Sequence, residues 1–97
     1  MMMNTIIFKM QPVFDEQQMN LPKAGHALYD KMMEACESGR RLIVDMTNVT
    51  SLPSIFLNVS IGRFVDEQGK EALKRTLSFM HITKAQALRL QDYLQRY

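Results

Sequence analysis

The sequence predicts an α/β domain, with a mostly parallel or mixed central sheet of about four strands and three helices. Three observations lead there. Short β-rich runs at 5–10 (TIIFKM), 41–46 (RLIVDM) and 77–82 (LSFMHI) alternate with stretches of helical period. Strands that alternate with crossover helices build a parallel sheet, because each helix returns the chain in the same direction. The run 41–46 is apolar except at its first residue and at Asp45, as a central strand covered on both faces requires.

Residues 5–10 are rich in β-formers and read as the first strand. Residues 11–20 are polar and read as a loop, with Pro12-Val13-Phe14 as a short edge strand within it. Pro22 opens the first helix, capped by Asn20 or Leu21, since proline in a first turn gives up no hydrogen bond. Gly25, Leu28, Tyr29, Met32 and Cys36 share one helical stripe, and Asp30, Lys31 and Glu34 lie off it. Ser38-Gly39 stops this helix, because glycine readily takes the left-handed conformation. Ile43 is expected at the centre of the sheet and fully buried. The second helix is expected to start near Ser51 or Pro53, with Ser51 as its N-cap. It should run to about Gln68 and turn Ile55, Phe56, Val59, Gly62 and Val65 inward. Gly69 ends it, and 69–76 (GKEALKRT) reads as a polar connector. Thr83-Lys84-Ala85-Gln86 matches a capping box, and Ala87, Leu90, Leu94 and Tyr97 form the inner stripe of the third helix.

The 97 residues are read as one domain over 1–97. A formal net charge of +2 is too small a bias for a chain that must neutralise several phosphates on one face, so nucleic acid is not expected as a partner. No apolar stretch reaches the roughly 20 residues of a membrane span, and the opening residues lack the pattern of a secretion signal. With one cysteine, Cys36, no intrachain disulfide can form, which fits a reducing, cytoplasmic setting. Cys36 lies on the apolar stripe and reads as a packed thiol. His26 and His81 are not at ligand spacing to each other or to Cys36, and no Gly-x-Ser-x-Gly or His-Glu-x-x-His occurs. No catalytic residue, metal or cofactor is therefore expected. Lys70, Lys74 and Arg75 read as a solvated turn or as a contact for an acidic partner surface.

Residues 44–56 (VDMTNVTSLPSIF) hold most of the polar chemistry. A strand ends at Asp45 and passes to a helix through Thr47, Thr50, Ser51 and Ser54. One reading is a structural turn built by Asp45, Ser51 and Pro53, in which Asp45 bonds the turn that follows it. The other is a site at Ser54. A phosphate there would add about −1.5 to −2 charge, which the free N–H groups of a helix start tolerate.

The block LIVDMTNVTSLPSIFLNVSIGRF resembles the STAS-like domain family of bacterial proteins, related to the STAS domains of anti-sigma-factor antagonists. Asp45 matches the strand-end Asp, Ser54 the first Ser of the helix start, Phe56 the Phe and Gly62 the later Gly. The resemblance is strongest over 21–97. The chain departs from the family pattern at Pro53, which replaces the motif Asp, and at Ile55, which replaces the second, usually phosphorylated Ser. Asn58 and Val59 replace an acidic pair. The resemblance implies a non-enzymatic, regulatory domain of signal transduction that binds another protein, a histidine-kinase-type ATPase. The face implied is the turn after Asp45 and the helix start, with Ser54, Asn58 and Arg63 binding the partner and Ser54 as phosphoacceptor. The alternatives are a nucleic-acid-binding module and a small enzyme using Cys36 or His81. None of these readings fixes an oligomeric state.

Overall fold

The computed structural model describes residues 5–17 and 20–97. Strands β1 (Thr5–Lys9), β2 (Arg41–Asp45) and β3 (Leu77–Met80) are all parallel and lie in the order β1-β2-β3. The run 41–46 thus supplies the central strand. In register, Ile7 pairs with Ile43 and Ile43 with Ser78, while Lys9, Asp45 and Met80 form the last row.

The described residues hold three strands rather than four. The expected edge strand at Pro12-Val13-Phe14 is instead part of helix α1 (Met10–Glu16). Pro12 sits in its first turn, where its missing N–H has no partner to lose. Phe14 turns into the core against Phe56, with ring centroids 5.1 Å apart. Residues 18 and 19 of the expected loop lie outside the described residues.

Five helices rather than three are present among the described residues, when 54–68 is counted as one. Helix α2 (Leu21–Glu37) starts as the sequence predicts, with the Asn20 side chain accepting from the Lys23 N–H at 3.1 Å. Ser38 and Gly39, at φ 69°, end it. Helix α3 covers 54–68. The expected polar connector is helix α4 (Lys70–Thr76), separated from α3 by Gly69 alone, at φ 91°. Its Ala72, Leu73 and Thr76 face the core, and Lys74 and Arg75 in its last turn suit the negative end of the helix dipole. Helix α5 (Lys84–Leu94) carries the capping box read from sequence: Thr83 Oγ1 accepts from the Gln86 N–H at 3.1 Å, and Gln86 Oε1 accepts from the Thr83 N–H at 3.0 Å.

Side chains of a strand alternate between the two faces of a sheet. Leu42 and Val44 are fully buried on one face, with Ile6, Phe8, Leu77 and Phe79 beside them in the core. The other face carries Ile7, 59% exposed, together with exposed Arg41. Ile43 shares this face and is only half-buried, contrary to expectation. The helices cover the sheet chiefly on one side, so the central strand is buried on one face rather than two.

Helix α3 departs furthest from its expected pattern. It runs as regular turns at Ser54–Leu57, a π-turn at Asn58–Gly62, and regular turns at Arg63–Gln68. The Ser60 hydroxyl donates to the Phe56 carbonyl at 2.7 Å. A Cβ at Gly62 would collide with the Tyr93 hydroxyl and lie 2.8 Å from that of Tyr97. The wider turn rotates the inward stripe to Phe56, Leu57, Ser60, Ile61, Gly62, Phe64 and Val65, and leaves Ile55 50% exposed. Val59, only half-buried, meets α2: a Cβ at Gly25 would collide with its Cγ2 and lie 3.0 Å from the Phe56 carbonyl oxygen. On α5 the inner residues are Gln86, Leu90 and Tyr93; Ala87 and Tyr97 are exposed and Leu94 is half-buried. The burial of Gln86 sets that rotation. Cys36 is half-buried at the edge of the core.

Urea unfolding should separate these environments. Leu42→Ala is expected to cost about 2–5 kcal/mol as a fully buried truncation, and Ile43→Ala less than half of the Leu42 value. Gly25→Ala should cost about 1–3 kcal/mol by overpacking. A Gly25→Ala protein as stable as the wild type would show that α2 and α3 can move apart without loss.

Candidate functional site

Asp45 ends the central strand, with its side chain 11% exposed. Its Oδ1 accepts from the Thr47 N–H at 3.0 Å, the Thr47 hydroxyl at 2.6 Å and His81 Nδ1 at 3.0 Å. The Thr47 proton is committed to the carboxylate, and an ionised carboxylate donates nothing. In the neutral imidazole His81 Nδ1 therefore bears the hydrogen, which leaves the lone pair on Nε2. The bonds from the Thr47 hydroxyl, then from His81 and the Thr47 N–H, hold the Asp45 carboxyl at about 2, below its usual 3.8. Asn48 and His81 both take left-handed backbone, at φ 67° and 56°, which is uncommon outside glycine.

Sequence spacing alone gives no reason to join His81 to Asp45. The parallel register joins them, because His81 follows Met80, the partner of Asp45 in the last row. Both residues stand at the C-terminal ends of predicted strands, and that position is the sequence signal of their meeting. His26 is exposed on α2, and Cys36 lies at the opposite end of the sheet, in a hollow with Arg40, Arg41 and Arg75. There Arg41 Nη1 donates to the Lys74 and Arg75 carbonyls at 3.1 and 2.8 Å, so the cation serves the end of α4. Among the described residues no group of three or more His, Cys, Asp or Glu is placed to hold a metal ion. Nor is any described helix long and apolar enough to cross a membrane.

The segment from Met46 to Ser54 is anchored inside by buried Met46, Val49 and Leu52. From outside it is held by α5. Gln86 Nε2 donates to the Val49 carbonyl at 2.6 Å, Arg89 Nε to the Leu52 carbonyl at 3.1 Å, and Arg89 Nη2 to Ser54 Oγ at 2.9 Å. Ser51 is not the N-cap of α3. Pro53 holds that position with extended backbone, φ −63° and ψ 148°, and its carbonyl accepts from the Leu57 N–H at 3.1 Å. The helix therefore begins at Ser54, too far on for the Ser51 hydroxyl to cap it. Thr50 and Ser51 remain exposed on a ridge between two hollows. One, of about 390 Å³, is walled by Thr83, Gln86 and Arg89; the other, of about 230 Å³, by Phe14, Leu21 and Pro53.

Between Phe56 and Val65 only Asn58 and Arg63 are exposed, and both are engaged. Asn58 Oδ1 accepts from the Tyr93 hydroxyl at 2.7 Å. Burial, then its contact with Tyr97, raises the pKa of Tyr93 above the ordinary phenol value. The Arg63 guanidinium stacks 4.1 Å from the Tyr29 ring centroid, and its Nε lies 3.3 Å from Glu67 Oε2. The Tyr29 hydroxyl donates to the other Glu67 oxygen. That bond lowers the Glu67 pKa and raises that of Tyr29. Ser54 and Asn58 thus share the side of α3 that meets α5, one turn apart, whereas Arg63 faces α2.

A family model described as a STAS-like domain of unknown function (DUF4325) matches residues 24–87. The matched span takes in β2, the turn after Asp45, α3 and β3, and reaches the first turn of α5. No curated protein and no solved structure matches the chain.

The environment of Asp45 gives a pH signature. Its carboxyl binds a proton more weakly in the folded chain than in the unfolded one. The stability that this supplies is complete above the unfolded value of 3.8 and is lost as the pH falls toward about 2. The urea midpoint of the wild type should therefore fall more steeply across that window than the midpoint of Asp45→Asn. Parallel pH profiles would show that the three bonds to Asp45 do not persist in solution.

Proposed function

The chain belongs to the STAS-like domains of unknown function, and from that membership we propose a non-enzymatic protein-docking domain. Its contact face is the turn after β2 together with the first turn of α3. The observation that carries this reading is the fixing of an exposed, hydroxyl-rich segment by Gln86 and Arg89 from outside and by Val49 and Leu52 from within. A loop ordered before it meets its partner loses less conformational freedom on binding. Ile55, 50% exposed beside Ser54, supplies an apolar centre. Thr50, Ser51 and Ser54 supply the polar surround that protein interfaces carry at their edges. Asn58 lies one turn further along the same side, and Arg63 at the margin.

The partner proposed is a histidine-kinase-type ATPase in the cytoplasm, in a regulatory role; the support for this is the resemblance of 42–64 to the STAS-like domains related to the anti-sigma antagonists. Ser54 is the proposed phosphoacceptor on this face. Its Oγ is 2.9 Å from Arg89 Nη2, so a phosphate there would gain a charge-assisted bond from the guanidinium.

Calorimetric titration of the chain against a histidine-kinase-type ATPase from the same organism tests the reading. Ser54→Glu and Ile55→Glu should each weaken binding at least about tenfold, or ~1.4 kcal/mol, with the melting temperature nearly unchanged. Asn58→Arg should weaken binding and also lower the melting temperature, because it gives up the Tyr93 bond. Wild-type affinity in both first-turn variants would remove this face from the interface. A wild-type chain that does not bind the ATPase would remove the partner.

A further inference from the structure

The docking face makes no use of His81. Its side chain is 58% exposed, while its Nδ1 is pinned at 3.0 Å to Asp45 Oδ1 and 3.0 Å to Thr47 Oγ1. A histidine that merely ties two strands together has no need to turn its other nitrogen to water. This one is held outward on a left-handed residue, φ 56°, at the C-terminal end of a parallel sheet. Sparsely populated backbone of this kind collects at functional positions.

We propose that His81 is a phosphoryl-acceptor site, taking phosphate at Nε2 from an acyl phosphate. The carboxylate–imidazole pair fixes the tautomer and ring orientation, as orienting carboxylates do for ligand and catalytic histidines. The Nε2 lone pair forms the N–P bond while the P–O bond to the acyl group breaks, and the acyl group leaves as a carboxylate. Nδ1 keeps its hydrogen throughout, so no proton has to move. The ring becomes cationic, and the Asp45 carboxylate beside Nδ1 balances that charge. Asp45 is equipped for this, because its bonds from Thr47 keep it ionised. Lys9, in register with Asp45, and Lys84, which opens α5, are cations at the same end of the sheet. The inference stands on the Asp45–His81 geometry and does not depend on the docking face.

The full chain incubated with acetyl phosphate tests it, by peptide mapping of acid-labile phosphate and by phosphorus NMR. Label is expected on His81 and not on His26, which is also exposed but has no hydrogen-bonded carboxylate. This comparison needs no variant. His81→Asn, a residue that tolerates left-handed backbone, should abolish labelling while circular dichroism shows it folded. Asp45→Asn, shown folded by circular dichroism, should slow labelling about 10–100-fold, as loss of an orienting partner does. Equal labelling of His26 and His81, no labelling of either, or a wild-type rate in Asp45→Asn would overturn the proposal. The pair would then be a structural tie alone.

Discussion

Helix α3 is packed on several sides through its middle, from Phe56 to Val65, and the other elements are arranged around that requirement. A chain of this length buries only about 60–65% of its unfolded surface, and its sheet is covered chiefly on one face. The helices must therefore build much of the core among themselves. Phe14 comes from α1 onto Phe56, Gly25 of α2 admits Val59, and Tyr93 of α5 reaches the backbone at Gly62. Neither glycine is there for its dihedral freedom. Each gives room where a side chain from the other helix comes within contact of its backbone. The π-turn follows from the same demand. With the extra residue, Ser60, Ile61 and Gly62 all face inward in succession, and the Ser60 hydroxyl is satisfied by the Phe56 carbonyl. The surface left to α3 is its first turn, Asn58, Arg63 and its last turn at 66–68.

The connection from β3 to α5 then determines the shape of the turn after β2. His81 holds Asp45, Gln86 holds the Val49 carbonyl, and Arg89 holds the Leu52 carbonyl and Ser54. One short stretch of chain thus supplies the side chains that grip Asp45, Val49, Leu52 and Ser54. The exposed turn and α5 consequently behave as one mechanical unit. Its two ends differ in chemistry. The Asp45 end is a charged, hydrogen-bonded cluster, while the Ser54 end joins a hydroxyl and a guanidinium to an exposed isoleucine.

Local signals were legible in the sequence and through-space ones were not. The alternation of strand and helix, the central place of 41–46, the Asn20 and Thr83 caps and the Gly69 stop each depend on neighbours within a few residues. The α4 helix was hidden because GKEALKRT is polar overall, although Ala72, Leu73 and Thr76 recur at helical spacing. Pro12 disguised α1 in the same way, since proline argues against a helix except in a first turn. The inner stripes of α3 and α5 slipped because a π-turn and a buried Gln86 rotate them, and neither is encoded by apolar period. Ser54 was singled out by its place at the helix start. Arg89, which holds it, carries no sequence signal, because the pairing depends on how α5 lies against the turn. The Asp45–His81 pair escapes local patterns for a related reason: residues far apart in sequence meet only through strand register. A search for polar residues at the C-terminal ends of adjacent predicted strands would have found it.

The two ends of the turn are physically linked. A phosphoryl group on His81 Nε2 would make the imidazole cationic, and its Nδ1–H bond to Asp45 would become charge-assisted from both sides. Asp45 also accepts both Thr47 bonds at the same oxygen, so a stronger claim by His81 bears directly on the first residues of the turn. Ser54 sits at the other end of that segment, with Arg89 as its outside anchor. A change of charge at His81 would thus bear on how firmly the turn is held, and with it the proposed docking face, without touching any residue of that face. Ile55 fits such an arrangement better than a second serine would. On the two proposals together, a partly exposed apolar side chain would gain from being covered by a partner whatever the charge at His81, and the charge-sensitive step would fall to the cluster around Asp45.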